Sequence, residues 1–150
     1  MIKNIRHTGL VVRDMKQSMK FYLALGFEVK IEAIEDKIFI DTISGKNIVR
    51  LHTVKLESPC ENDSCWATNM IELLDYGEDT VHSYRILTAN GCAHIAFTVD
   101  DVDKVYEKLS TDFNTYFLSK PTVTPDKKAK VVFCKAPEGT YIELVEELEE

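Results

Sequence analysis

Gly91-Cys-Ala-His-Ile-Ala-Phe-Thr-Val-Asp-Asp-Val-Asp103 is the stretch that decides the fold. Its first part alternates as a β-strand does, so that His94, Ala96 and Thr98 share one face. The second part starts at Asp101, a residue type that caps helices by accepting a backbone N–H bond, and continues with apolar residues at helical spacing. The stretch is therefore predicted to be a strand that opens with a histidine and runs into a capped helix.

The same pattern stands once before, near the N-terminus. His7 begins the segment His-Thr-Gly-Leu-Val-Val-Arg-Asp, and Asp14 follows it at the same spacing as in the later stretch. Asp14 and Gln17 have the form of a capping box, and Gly26 has the form of a helix stop. The chain is therefore predicted to contain an internal repeat.

The ends of the two halves also match. One half closes on Ile71-Glu-Leu-Leu74 and the other on Ile142-Glu-Leu-Val145. Each half reads as a β-α-β-β-β module, and neither can bury a sheet face alone. The predicted class is α+β, with the paired modules forming one curved mixed sheet and the helices outside it.

The order of elements follows from turn signals and apolar spacing. We expect residues 1–150 to form one domain, with a first module at about 3–76, a linker at about 77–90 and a second module at about 91–147. The first helix is predicted over 14–25. The predicted strands of the first half are 5–12, 27–34, 37–43, 48–55 and 70–74, and those that follow the second helix are 115–118, 129–135 and 140–146.

Composition excludes some classes of protein. The formal net charge is −7, which argues against nucleic acid, since that ligand needs a basic face. No apolar run is long enough to span a bilayer, and the N-terminus has no signal core, so we expect a cytoplasmic protein without a membrane partner. The four cysteines make no paired Cys-x-x-Cys zinc pattern and are interpreted as reduced thiols.

The histidine and the glutamate at matching points of each half are the candidate functional residues. A carboxylate inside an apolar strand is costly to bury unless it is paired. Two-fold symmetry would bring together His7, Glu72, His94 and Glu143, and two imidazoles with two carboxylates suit a divalent metal. Two further histidines lack a counterpart in the repeat and are interpreted as surface or loop residues: His52 and His82.

At these residues the chain resembles the vicinal oxygen chelate superfamily, which includes glyoxalase I, methylmalonyl-CoA epimerase, extradiol dioxygenases, and fosfomycin and bleomycin resistance proteins. The resemblance implies the paired β-α-β-β-β fold. It also implies that the histidine opening each half and the glutamate closing each half bind the metal, as in bacterial glyoxalase I. The segments that carry it are His7 to Phe27, Met70 to Leu74, Ala93 to Leu109 and Val131 to Val145.

The activity that this resemblance favours is that of a metal-dependent lyase or isomerase. Such an enzyme moves a proton next to a carbonyl, through an enediolate or enolate that a divalent metal chelates. Glu143 or Glu72 is the expected base. Zinc, nickel, cobalt and manganese all suit this donor set. Many members of the superfamily dimerise, so a homodimer acting on a small molecule is expected.

Two alternatives stay open. One is a racemase like methylmalonyl-CoA epimerase, which adds a second acid/base carboxylate upstream of the metal ligands. Glu32, Glu35 and Asp41 are the candidates for that carboxylate. The other alternative is a non-catalytic binding protein of the resistance type, although the bleomycin-binding members lack the metal ligands.

Glutathione is not expected to be the cosubstrate. Glyoxalases that use glutathione hold it with two arginines and an asparagine, and the corresponding places here have Val11, Tyr76 and Asn90. Because none of these side chains carries a guanidinium, another cation must bind any substrate anion. The candidates are Arg13, Arg50, Arg85 and Lys120, and Arg85, in the linker before the second half, is the first choice as the substrate-binding residue.

Overall fold

The computed structural model describes residues 1–2, 5–59, 69–81 and 83–148. The chain divides into two compact units, Met1–His82 and Ser83–Glu150. Each unit has its own sheet of parallel and antiparallel strands with helices, which confirms the α+β class. Within the described ranges, no helix has the length and apolar character needed to cross a membrane.

The first unit contains a four-stranded sheet in the order β1-β4-β3-β2. β1 and β4 are parallel, whereas β4, β3 and β2 are antiparallel neighbours. A short 3₁₀ turn, Gly77–Asp79, follows β4. The elements are β1 (Thr8–Val11), α1 (Met15–Ala24), β2 (Glu28–Ile34), α2 (Lys37–Ser44), β3 (His52–Glu57) and β4 (Met70–Asp75).

Helix α1 begins and ends where the sequence indicates. The Asp14 carboxylate accepts a hydrogen bond from the Gln17 backbone N–H at 2.9 Å, which satisfies one of the free donors of the first turn. Gly26, just after the helix, has φ of 96°, a left-handed conformation that glycine adopts without strain. Phe21 and Tyr22 are buried, and their rings meet edge to face.

One predicted strand is wrong. Residues 37–43, which alternate too weakly to decide, form helix α2 instead of a strand. The Asp36 side chain caps this helix by accepting from the Phe39 N–H, and Gly45 ends it at a φ of 66°. An ion pair between Lys37 and Asp41 joins neighbouring turns at 2.7 Å. These local bonds outweigh the β propensity of the apolar run.

The second unit repeats the same plan. Its sheet has the order β5-β9-β8-β6, with β7 also paired to β8, and β5 and β9 are the parallel pair. The Asp101 side chain accepts from the Lys104 N–H at 3.0 Å, as the predicted cap requires. The elements are β5 (Ile95–Thr98), α3 (Val102–Phe113), β6 (Tyr116–Phe117), β7 (Thr122–Val123), β8 (Ala129–Lys135) and β9 (Tyr141–Glu147).

In each unit the apolar core covers one face of the sheet. In the first, Ile71 and Leu73 are buried on either side of Glu72, and in the second, Ile142 and Leu144 are buried on either side of Glu143. Because side chains alternate along a strand, the glutamate between two such residues must project to the opposite face. The core therefore fixes the direction of both candidate ligand glutamates.

Candidate functional site

The two histidine–glutamate pairs occupy equivalent positions in the two sheets. Gly9 lies opposite Glu72 in the β1–β4 ladder, and Ala96 lies opposite Glu143 in the β5–β9 ladder. In both cases the histidine comes two residues before the small residue, just outside the first strand of its unit. Histidine and glutamate are therefore on the same face.

In the first unit the pair is close and mostly buried. His7 Nε2 lies 3.0 Å from Glu72 Oε2, and Glu72 is only 8% exposed. The other carboxylate oxygen, Oε1, lies 3.3 Å from Lys55 Nζ on β3. His7 Nδ1 is buried and has no hydrogen-bond partner among the residues that the structure describes. A buried ring nitrogen without a partner is unusual in a protein interior and is more typical of a functional position.

In the second unit the corresponding pair is more open. His94 Nε2 lies 3.2 Å from Glu143 Oε2, with side-chain exposures of 35% and 23%. The His94 ring packs edge to face against the Phe133 ring, with 5.1 Å between the ring centroids. Phe133 lies opposite Glu143 on β8. The imidazole is thus held by an aromatic ring on one side and a carboxylate on the other.

These separations are those of ordinary hydrogen bonds, and they are also compatible with two ligands of one divalent metal. A nitrogen and an oxygen that bind one ion at about 2.1 Å each, at right angles, are about 3.0 Å apart. His7 with Glu72 and His94 with Glu143 both have this spacing. Each unit alone supplies one imidazole and one carboxylate, and among the described residues no group of three or more His, Cys, Asp or Glu side chains converges. Each pair is therefore at most half of a metal site.

The carboxylates considered for a second acid/base role differ in their surroundings. Glu32 pairs with His52 Nε2 at 2.8 Å. Asp41 accepts from Lys37 and from the Ile48 N–H, and these bonds, the one from Lys37 most strongly, lower the pKa of Asp41. Asp41 is therefore a structural residue that holds the end of helix α2.

Glu35 is placed differently. Thr53 Oγ1 donates to Glu35 at 2.9 Å, and Thr53 lies two residues before Lys55 on β3. Because Thr53 and Lys55 share a face of the strand, Glu35 is hydrogen-bonded on the same side of the sheet as Glu72. Of the three candidates, Glu35 is the one connected to that face.

The histidines outside the repeat have separate outcomes. His52 is not a loop residue: it begins β3, its side chain is 17% exposed, and it pairs with Glu32. His82 lies outside the described residues. The pair of Glu32 and His52 joins neighbouring strands β2 and β3, so a structural role accounts for it.

Arg85, the candidate substrate-binding residue, is exposed in the segment that precedes β5. Its carbonyl accepts a hydrogen bond from Lys135 Nζ at 3.5 Å. The same ammonium lies 5.1 Å from the ring centroid of Tyr84 and 4.9 Å from that of Tyr141. Lys135 is on the same strand face as Phe133, so this second cation, which the sequence did not single out, lies on the glutamate face of its unit.

The described cysteines do not extend the donor set. Cys134 is fully buried, and burial raises the pKa of its thiol to about 12. A protonated, buried thiol is a poor nucleophile and a poor metal ligand. Cys92 is exposed, and its thiol donates to the His94 carbonyl at 3.6 Å. Cys60 and Cys65 lie outside the described residues.

Lys55 and Phe133 are the neighbours that the sequence did not reveal. Lys55 on β3 lies directly opposite Glu72 on β4, and Phe133 on β8 lies directly opposite Glu143 on β9. In each unit the strand concerned is the antiparallel neighbour of the strand that carries the glutamate. The equivalence of Lys55 and Phe133 depends on strand register, because the segments between them and Glu72 or Glu143 differ in length. Both residues lie in strands that mix apolar and polar residues, so the sequence contains no signal for either position.

Comparison with known proteins agrees with this architecture. The chain is 27% identical over 145 residues to the uncharacterized protein YwbC of Bacillus subtilis (strain 168), covering 95% of this chain and 97% of that protein. A glyoxalase family protein from Bacillus cereus superposes with a TM-score of 0.87 at 18% identity, covering 99% of this chain and 97% of the other.

A second solved structure is the fosfomycin resistance protein FosX from Listeria monocytogenes, in complex with Mn(II) and a sulfate ion. Its TM-score is 0.64 at 15% identity, and the match covers 99% of this chain and 95% of the other. At these identities both structures establish the fold alone. The model of the Glyoxalase/Bleomycin resistance protein/Dioxygenase superfamily matches residues 4–144, and the chain belongs to that superfamily.

Proposed function

We propose that this protein is a metal-dependent, glyoxalase-like lyase or isomerase. In this proposal His7, Glu72, His94 and Glu143 together hold one divalent ion, which is zinc, nickel, cobalt or manganese. The observation that carries it is that a histidine–glutamate pair occurs in identical register in both units. In each pair the nitrogen–oxygen distance is compatible with two neighbouring ligands of one ion. The buried His7 Nδ1, which has no hydrogen-bond partner within the described part of the chain, supports a functional role for the first pair.

The chain's own residues would move a proton. A divalent cation at the four ligands would supply a Lewis acid for the substrate oxygens. Glu143 or Glu72 would accept a proton from the carbon beside the substrate carbonyl, becoming a carboxylic acid, and would return that proton to the neighbouring carbon or to the opposite face. In the structure the imidazoles of His7 and His94 contact these carboxylates at 3.0 and 3.2 Å, and as ligands they would bind the cation instead.

The proposal is tested by proton exchange in heavy water. The purified chain is stripped with EDTA, reloaded with Mn(II), Ni(II), Co(II) or Zn(II), and incubated with thiol adducts of 2-oxoaldehydes, 2-hydroxyketones and branched acyl thioesters. Metal-dependent entry of deuterium beside the carbonyl of at least one class is expected. Absence of exchange in every class, together with absence of stoichiometric metal binding, would contradict an enzymatic function.

A racemase like methylmalonyl-CoA epimerase is the second candidate, and Glu35 favours it. Its carboxylate is hydrogen-bonded to Thr53 on the face of β3 that also carries Lys55. Two carboxylates on opposite sides of a bound substrate would allow a proton to leave one face of the substrate and return to the other. Exchange confined to branched acyl thioesters would favour this candidate, whereas tight ligand binding without exchange would favour a resistance-type binding protein.

We also propose that the protein is a cytoplasmic homodimer that acts on a small molecule, without nucleic acid or membrane partners. The net charge of −7 supports the absence of a nucleic-acid partner. The homodimer follows from the resemblance to the superfamily and is tested by sedimentation velocity. A fully active monomer at micromolar concentration would contradict it.

A further inference from the structure

The residues directly opposite the two glutamates differ by one positive charge. Glu72 has Lys55 directly opposite it on β3, whereas Glu143 has Phe133 opposite it on β8. The other neighbours correspond, since each glutamate has its histidine near 3 Å and a small residue on the parallel strand. Lys55 therefore makes the positions directly opposite the two glutamates electrostatically unequal.

Lys55 neutralises a carboxylate that the protein has largely removed from water. Glu72 is 8% exposed, and Lys55 Nζ lies 3.3 Å from its Oε1. The side chain of Lys55 is itself 27% exposed, so the interaction is only partly screened by solvent. A carboxylate in this position without a partner cation would destabilise the fold, because a buried charge needs a partner.

The same contact opposes a second cation. An ion bound to Glu72 would lie within a few ångströms of the Lys55 ammonium, because both would use the same carboxylate, and like charges at that distance repel. We infer that Lys55 is an internal competitor for Glu72, which a divalent cation must displace, so that Lys55 lowers the affinity of the first half-site for metal. This inference rests on the proposed function in that it takes Glu72 as a ligand.

The experiment compares Mn(II) binding by four variants of the full chain after EDTA treatment, using electron paramagnetic resonance of free Mn(II). Lys55→Met removes the charge and keeps the length, and we expect about tenfold tighter binding. Lys55→Arg keeps the charge and should bind within about threefold of the natural chain. At the equivalent position, Phe133→Lys should weaken binding about tenfold, whereas Phe133→Met, which adds no charge, should not.

A second readout is thermal unfolding with and without Mn(II). Metal-free Lys55→Met should unfold at a lower temperature than Lys55→Arg, because Glu72 has lost its ammonium partner, and Mn(II) should raise its midpoint by more. Equal Mn(II) affinities for Lys55→Met and Lys55→Arg would overturn the inference.

Failure of the proposed function gives a different result. If the natural chain binds no Mn(II), the four-ligand proposal is wrong as it stands. The inference is then decided by the thermal shift: stabilisation of Lys55→Met by Mn(II), absent in Lys55→Arg, supports it, and equal absence in both overturns it.

Discussion

Replacement of Glu143 by glutamine is expected to lower divalent-metal affinity at least about 100-fold and to abolish metal-dependent proton exchange. Loss of an outer-shell partner of a metal ligand already costs 10- to 100-fold in affinity, and loss of a ligand carboxylate should cost no less. Glutamine keeps the shape of the side chain and can still accept a hydrogen bond from His94, so the fold should persist. Metal content after desalting and calorimetric titration with Mn(II) measure the effect.

Glu147→Gln is the matched control. Glu147 lies four residues further along the same strand and on the same face, but it is exposed and outside the histidine–glutamate pair. It should bind metal as the natural chain does. The stoichiometry adds a second criterion: one ion per chain, lost equally in Glu72→Gln and Glu143→Gln, agrees with a shared site. Two ions per chain, with each substitution removing only one, would contradict a single four-ligand centre.

Much of the fold could be predicted because the deciding signals are local. Asp14 and Asp101 cap the helices that follow each first strand, and Gly26 ends the first of these helices. Helix α2 was missed because the apolar run at 37–43 resembles a strand when its spacing alone is considered. The caps at Asp36 and Gly45 were present in the sequence and should have outweighed that resemblance.

The histidine–glutamate partners could be paired from the repeat alone, since each module opens with one and closes with the other. His7 meets Glu72, and His94 meets Glu143, within separate units. The residues opposite the two glutamates, Lys55 on β3 and Phe133 on β8, could not be predicted, because their equivalence depends on strand register. Register depends on where antiparallel strands begin, and β3 begins at His52, four residues later than predicted.

Turnover of the hemithioacetal of methylglyoxal and glutathione is expected to be weak or absent, whichever metal is loaded. The three places at which glutathione-using glyoxalases have cosubstrate-binding residues are Val11, Tyr76 and Asn90 here. Val11 lies on the same face of β1 as Gly9, which is opposite Glu72, and it is 46% exposed. An arginine there would reach solvent beside the carboxylate, and valine offers no charge to a glutathione carboxylate.

The size of the effect follows from the two missing guanidinium groups. Loss of an arginine–carboxylate bond costs about 2–5 kcal/mol when the partner charge stays buried, so two losses reduce affinity about a thousandfold or more. Arg85 is exposed, and its carbonyl accepts from Lys135, so these two cations on the second unit are the candidates to bind a different anion.

The assay follows thioester formation after loading with nickel, cobalt or zinc in turn. The double variant Val11→Arg/Asn90→Arg restores both guanidinium positions and should raise turnover of the glutathione adduct, whereas Val11→Gln/Asn90→Gln, similar in length and uncharged, should not. Arg85→Gln should leave the weak glutathione reaction unchanged and should reduce affinity for the true anionic substrate. A kcat/KM above roughly 10⁵ M⁻¹s⁻¹ for the natural chain with the glutathione adduct lies within the ordinary enzyme range. It would show that the missing arginines do not matter and that this chain is a glutathione-dependent glyoxalase.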